Sequence, residues 1–182
     1  DVQLDWRTDD GVVEYATTAG PDGVYTLAGV STGTYTLIAS PPAPYAPQWV
    51  EADVSAPGTC ILPITLDEGA VVTGAVTAHT GGQPLSNVVV DVTGPLSVAG
   101  HTDTNGVYSV AQLPPGTYAL QVSLAGYCTA TTSVDVAAGE VATNSFALLR
   151  PASLTVLGVA PDETPAYGAA VTITPSGDTE PV

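Results

Sequence analysis

The sequence predicts an all-β protein built from tandem seven-stranded Greek-key sandwiches. First, 19 Gly and 16 Pro among 182 residues interrupt almost any helix, because both residues oppose helical backbone. Second, short runs such as residues 88–92 (VVVDV) alternate apolar and polar side chains, as half-buried strands do. Third, segments recur after 81 to 83 residues, close to the length of one small sandwich, as between Gly23 and Gly106. We therefore expect negligible helix content.

Charge and hydropathy exclude several function classes. Two basic residues, Arg7 and Arg150, oppose 18 acidic ones, and the net charge of −16 leaves nothing to hold nucleic acid. Only 11% of residues are charged and 45% are hydrophobic, which argues against disorder. No apolar run approaches the roughly 20 residues of a membrane span. We expect a secreted, extracellular or cell-surface segment.

The internal repeat is carried by two pairs of segments. Residues 21–27 (PDGVYTL) match residues 104–110 (TNGVYSV), and residues 31–37 (STGTYTL) match residues 114–120 (PPGTYAL) at the same spacing. Gly in the first pair predicts turns with positive φ. The second pair predicts that Tyr35 and Tyr118 are equivalent, largely buried core residues.

The repeat divides the chain into three parts that are unequal. Module two, residues 70–150, is complete, from a first strand at 70–76 to a last strand near 144–149. Module one, residues 1–69, has no counterpart of that first strand. Residues 151–182 contain only a counterpart of it, at 153–159, and of the next strand, at 170–174.

Two explanations of this broken phase stay open. The chain is either a window from a longer array, or its C-terminal strands complete another module. In the second case Leu154 and Val156 are interface residues that join identical chains head to tail by donor-strand complementation. The reason is that an incomplete sandwich leaves an open edge, which natural β proteins avoid.

Several motifs of module two resemble the carboxypeptidase regulatory-like domain. They are residues 72–76 (VTGAV), 82–92 (GQPLSNVVVDV), 104–108 (TNGVY), 113–118 (LPPGTY) and 126–127 (GY). The resemblance implies a prealbumin-like, immunoglobulin-like sandwich, similar to the B repeats of bacterial surface proteins. It also implies a non-catalytic accessory, stalk or adhesin module. Module one departs from the pattern at Ser31 and Thr32, and the absence of Lys excludes a Lys-Asn cross-link.

Catalytic residues are scarce. His79 is expected in a loop and His101 just before a strand, where a solvated role is the simpler interpretation. Serine-hydrolase, zinc-protease and phosphate-loop motifs are absent from the sequence. We expect no enzymatic activity and no cofactor.

Calcium is the one metal that the sequence leaves open, because acidic β modules bind it through loop oxygens. Asp103 and Asn105 have an alternating oxygen pattern, although a plain hairpin turn is the simpler interpretation of this loop. Asp67 and Glu68 lie at the junction of the two modules, where a cation would stiffen the joint.

The aromatic and sulfur-containing residues give further candidates. Trp6 and Trp49 have no aromatic counterpart in module two, so they are candidates for an interface or a carbohydrate-binding surface, with extra core packing as the alternative. Cys60 and Cys128 are not repeated either. They are either a disulfide between modules or chains, or two unpaired residues.

The function that these patterns favour is structural. We expect a non-enzymatic extracellular repeat protein, a stalk or filament subunit that forms a homopolymer. The alternatives are an adhesin or carbohydrate-binding module, and an accessory region of a larger secreted enzyme.

Overall fold

The computed structural model describes residues 3–7, 16–55, 61–152, 155–159 and 168, with backbone alone for residues 3–7 and 16. Every regular element among them is a β-strand, so the all-β prediction is confirmed. None of the described residues belongs to a helix that could span a membrane. The strands are β1 (Gln3–Arg7), β2 (Ala16–Thr18), β3 (Gly33–Ser40), β4 (Gln48–Val54), β5 (Ala70–Ala78), β6 (Val89–Thr93), β7 (Val98–His101), β8 (Val107–Leu113), β9 (Gly116–Ser123), β10 (Ala130–Val136), β11 (Val141–Thr143) and β12 (Phe146–Leu148).

Module two is a sandwich of two sheets. One sheet has the strand order β10-β9-β6-β7, and all its neighbours are antiparallel. In the other, β5 lies between β8 on one side and β11 and β12 on the other. Because β11 and β12 pair with successive parts of β5, they act as one interrupted strand, and the sandwich counts as seven-stranded.

The core of module two lies between these sheets. Alternate residues of each strand enter it, as the period of two requires. The largest side chains with almost no exposure are Tyr108, Tyr118, Leu113, Leu120 and Leu148. This core is closed on the side of β5, where Val72 and Val76 are completely buried.

Module one contains one four-stranded sheet, with the order β2-β1-β3-β4. This order is the same as β7-β6-β9-β10 in module two, with β3 in the place of β9. Its buried core is small and consists of Tyr35, Leu37, Ala39 and Ala52. The described residues of module one form no second sheet.

Two tyrosines have the same environment in the two modules. Tyr35 donates a hydrogen bond to the carbonyl oxygen of Ser31 over 2.8 Å, and Tyr118 donates one to that of Pro114 over 2.8 Å. Both side chains are buried, as the repeat predicts. In each module the tyrosine hydroxyl thus binds the loop that precedes its own strand, β3 or β9. This loop is therefore held in the same way in both modules.

Backbone conformation also recurs at the repeat spacing. Gly23 and Gly106 have φ of 76° and 75°, as expected for turn glycines. Gly29 has φ of 76°, and its counterpart Gln112 keeps a φ of 58° although it is not glycine. A left-handed conformation at a residue with a long side chain is uncommon, so the shape of this bend is imposed by its surroundings.

Hydrogen bonds within the end of module one and from it to module two hold the junction; across it, the amide of Gly139 donates to the carbonyl oxygen of Glu68 over 3.0 Å. Tyr45 and Glu68 form an antiparallel bridge, and the amide of Gly69 donates to the carbonyl oxygen of Pro44 over 2.7 Å. The side-chain amide of Gln112 donates to the carbonyl oxygen of Tyr45 over 3.1 Å. Residues 1–151 accordingly form one compact unit, whereas the sequence places a boundary at residue 69; residues 152–182 form the second unit.

Candidate functional site

Strand β5 organises the second sheet of module two. It pairs antiparallel with β8, with Val72 opposite Val110, and parallel with β11 and β12, with Val76 opposite Phe146. No other described strand pairs both with β8 and with β11 or β12. These strands therefore belong to one sheet only because β5 lies between them.

Side chains add to the backbone ladder of β5. The hydroxyl of Thr73 donates to the carbonyl oxygen of Tyr108 over 2.7 Å. On the other side the amide of Ala75 donates to the hydroxyl of Ser145 over 3.1 Å, at the break between β11 and β12. The strand is therefore fixed in register on both edges.

Module one has the counterparts of β8 and β12, and its described residues include no strand between them. Residues 24–28 match the start of β8, and residues 61–66 match the segment that contains β12. Neither segment takes part in any strand or bridge, and so the two do not pair with each other. We call the position between them, which β5 fills in module two, the strand gap.

The strand gap leaves apolar side chains half-covered. Tyr108 is 1% exposed and Val110 6%, whereas their counterparts Tyr25 and Leu27 are only partly buried. On the other side of the gap, Phe146 and Leu148 of β12 are likewise buried, whereas their counterparts among residues 61–66 are only partly buried. The partly buried apolar residues that pack on the small core of module one are Tyr25, Leu27, Val30, Val54, Leu62, Ile64 and Leu66.

A tyrosine hydrogen bond spans this position in both modules. In module two the hydroxyl of Tyr108 donates to the carbonyl oxygen of Asn144 over 2.7 Å, and burial raises the pKa of Tyr108 to about 12. In module one the hydroxyl of Tyr25 donates to the carbonyl oxygen of Leu62, also over 2.7 Å. The Tyr25 bond therefore links the two segments that border the strand gap at one point. The Tyr108 bond links their counterparts on either side of β5 in the same way.

Gly74 of β5 lies directly at this tyrosine bridge. A Cβ atom on Gly74 would overlap the carbonyl oxygen of Asn144 and lie 3.1 Å from Cε1 of Tyr108. Backbone atoms on one side and a buried ring on the other cannot both give way. The strand under the bridge therefore needs glycine at this point.

The structure describes the predicted tail strand only at residues 155–159, so the strand stays a prediction. The expectation placed it at residues 153–159; residues 155–158 belong to no strand or bridge, whereas Val159 takes part in a bridge. Val156 and Leu157 are 52% and 77% exposed, and Leu154 lies outside the described residues. The tail thus presents apolar side chains to solvent.

The acidic candidates serve as local caps. Asp103 Oδ1 accepts hydrogen bonds from the amides of Asn105, over 2.9 Å, and Val107, over 2.8 Å, as in a turn closed by its own side chain. Asp67 Oδ2 accepts one from the side-chain amide of Gln48 over 2.9 Å, and Glu68 takes part in the module junction through its backbone. No group of three metal-ligating side chains occurs in the described ranges.

The two tryptophans have different surroundings. Trp49 pairs with Ile38 across β3 and β4, and the residue is 43% exposed. Trp6 is opposite Leu37 in the β1–β3 ladder and is described through its backbone alone. The described part of module one thus presents one exposed indole, on the face of the sheet away from Leu37.

The remaining sequence candidates are not brought together. Cys128 has an exposed free thiol, and Cys60 lies outside the described residues, so the disulfide stays a prediction. His79 is exposed in the turn after β5. The expectation for His101 is corrected, because it is the last residue of β7 and pairs with Val89, which lies opposite it on β6.

Sequence reasoning missed the role of the bridging tyrosines. The repeat places Tyr25 and Tyr108 at equivalent positions, but it does not show that their hydroxyls link the two segments on either side of the strand gap or of β5. The sequence signal for a strand beneath this bond is the glycine of residues 72–74 (VTG), which recurs in the tail at residues 156–158 (VLG).

The family comparison agrees with the geometry of module two. The family model of the carboxypeptidase regulatory-like domain matches residues 71–149, so this part of the chain is similar to that domain. No curated protein matches the chain.

Solved structures give weaker similarities. The TIE protein of Bacillus anthracis is 18% identical with a TM-score of 0.42, over 82% of this chain and 30% of that one. The minor pilin of Streptococcus agalactiae is 14% identical with a TM-score of 0.44, over 86% of this chain and 85% of that one. Hydroxyquinol 1,2-dioxygenase of Pseudomonas putida is 12% identical with a TM-score of 0.40, over 48% and 58%. The chain thus corresponds to less than two thirds of the length of the TIE protein and of the dioxygenase. Structural similarities with TM-scores of 0.40 to 0.44 assign no activity to this chain.

Proposed function

We propose that this protein is a non-enzymatic structural subunit of an extracellular or cell-surface stalk or filament, and that its strand gap accepts a strand from a second copy of the chain. The observation that carries the proposal is that residues 24–28 and 61–66, on either side of the position that β5 fills in module two, belong to no strand or bridge. Strand addition to such an edge supplies main-chain hydrogen bonds for affinity and pockets for alternate side chains.

Energetics favour filling the strand gap. In module two β5 completes the burial of Tyr108, Val110, Phe146 and Leu148. Covering the corresponding half-buried residues of module one would remove apolar surface from water, at about 25 cal/mol per Å². A small module that buries little apolar surface is marginally stable, so the added strand has a large effect on it.

The tail supplies a strand of suitable character. Residues 155–159 are exposed, contain no charged side chain and include three apolar ones. A contact between different surfaces of identical chains need not close, and it then yields a filament. The net charge of −16 keeps such assemblies from associating nonspecifically.

Assembly of the full chain tests the proposal. Sedimentation and negative-stain electron microscopy should show head-to-tail oligomers for the full chain, and monomers for the variant Leu27→Asp, which places a charge in the strand gap. Val141→Asp is the matched control, because Val141 is 64% exposed in module two, outside the gap. A Leu27→Asp chain that assembles like the control rules out the strand gap as the acceptor.

Deletion of residues 152–182 tests the donor. These residues lie outside the compact unit of residues 1–151, so module two should stay folded while assembly is lost. The truncated chain still has a strand gap and should shorten the oligomers of the full chain when the two are mixed. Filaments of normal length from the truncated chain alone contradict the donor assignment.

A carbohydrate-binding surface is the second candidate, and the exposed ring of Trp49 beside Ile38 favours it. Aromatic rings commonly present an apolar face with a polar edge to ligands. A glycan array with the full chain and Trp49→Ala separates this function from the structural one, since assembly should not depend on Trp49.

A further inference from the structure

We infer that the strand gap selects its donor by a glycine, and that the donor is residues 154–160 of a second copy with Gly158 under the bridge from Tyr25 to Leu62. This inference rests on the proposed function, and it fixes the register and the occupant of the gap. It starts from the contact geometry of Gly74 in module two.

The steric requirement is set by backbone. In module two a Cβ at Gly74 would overlap the carbonyl oxygen of Asn144, which accepts the hydrogen bond of Tyr108. Module one repeats that hydrogen bond between Tyr25 and Leu62 with the same length of 2.7 Å. A strand that enters the gap therefore meets the same restriction at the same point, and only glycine passes under the bridge.

The tail meets this requirement in one register. With Gly158 in the place of Gly74, Val156 and Ala160 take the places of Val72 and Val76, both completely buried in module two. The outward positions fall to Leu157 and Val159. Apolar residues thus face the core of module one on both sides of the glycine.

The neighbouring register is excluded by the same contact. Matching residues 153–159 to residues 70–76, as the simple repeat suggests, puts Leu157 in the place of Gly74. Its side chain would overlap the carbonyl oxygen of Leu62. A slip of one residue also turns every side chain to the opposite face of the sheet. The glycine is therefore the feature that fixes the register, and the repeat spacing for this strand is 84 residues.

Peptide binding tests the inference directly. The acceptor is the full chain with Val156→Asp, which disables its own donor strand and leaves the gap unchanged. The probes are labelled peptides of residues 151–162, either unchanged, with Gly158→Ala, or with the matched control Leu157→Ala. We expect the unchanged peptide to bind and the Gly158→Ala peptide to bind at least about tenfold more weakly. The Leu157→Ala peptide should stay within about threefold of the unchanged one, because its side chain lies on the outward face.

The outcomes separate the two levels of the proposal. If the three peptides bind equally well, the glycine selection is wrong although the gap accepts a strand. If no peptide binds, the strand-acceptor function itself is wrong. Hydrogen exchange of the acceptor locates the peptide, since protection should rise at residues 24–28 and 61–66. Protection confined to other residues also overturns the inference.

Discussion

The hydroxyl of Tyr25 donates a hydrogen bond to the carbonyl oxygen of Leu62, 37 residues later and over 2.7 Å. The corresponding pair in module two, Tyr108 and Asn144, spans a strand that passes beneath it. In module one no strand or bridge includes the bordering residues 24–28. The same side-chain bond therefore occurs in a finished sandwich and in an unfinished one.

Replacing Gly74 with alanine should destabilise module two by about 3 kcal/mol, because the new methyl group overlaps the carbonyl oxygen of Asn144. Urea unfolding followed by circular dichroism measures the change. Gly100→Ala is the control, since a Cβ there would be 3.4 Å from the nearest atom, in the side chain of Val110. We expect the control to change stability by less than about 0.5 kcal/mol. Equal effects of the two substitutions argue against close contact at Gly74.

Removing the hydroxyl of Tyr108 should lower the free energy of unfolding by about 1–2 kcal/mol, because its bond to Asn144 is lost in a largely dry environment. The equivalent change Tyr25→Phe should have a smaller effect, since Tyr25 is only partly buried and water can replace the bond. Both variants are compared by urea unfolding. A larger loss for Tyr25→Phe than for Tyr108→Phe contradicts the difference in burial.

Module two should lose stability at high pH because of Tyr108. Burial raises its pKa from 10.0 to about 12, so the folded state holds the phenol proton to higher pH than the unfolded state does. The stabilisation from Tyr108 is present in full below pH 10 and is lost as the pH rises from 10 to about 12. Unfolding titrations across this interval measure it, and Tyr108→Phe should flatten the dependence. An unchanged slope in that variant assigns the effect to other groups.

Asp103→Ala should destabilise the turn before β8 by about 1 kcal/mol, because two backbone amides lose their acceptor. The loss should be the same in calcium and in a chelator, as expected for a carboxylate that closes its own turn. Thermal unfolding of the variant in both buffers measures this, with the exposed neighbour change Thr104→Ala as control. A loss that appears only in calcium makes Asp103 a ligand.

Local sequence was sufficient for the parts of the fold that depend on the residues nearby. The turn glycines at 23 and 106, and the buried Tyr35 and Tyr118, follow from patterns a few residues long. The strand character of residues 24–28 does not. This segment has the same alternation as the start of β8, but a strand also requires a partner, and the partner is remote in sequence.

Two further features depend on contacts that no pattern reveals. Gln112 keeps the left-handed bend of Gly29, and its side chain donates to Tyr45 at the junction with module one. The register that we propose for the tail follows from the space at Gly74, and it differs by one residue from the register that the repeat spacing predicts. Both are decided by atoms far away along the chain.

The mixed pairing of β5, antiparallel to β8 and parallel to β11 and β12, has a consequence for growth. A donor that copies this arrangement enters each acceptor in one direction only, so all subunits of a fibre point the same way. Its two tips are then chemically different, one with a vacant cleft and the other with a free strand. A chain without its tail would cap only one of them, and elongation at the opposite tip would continue.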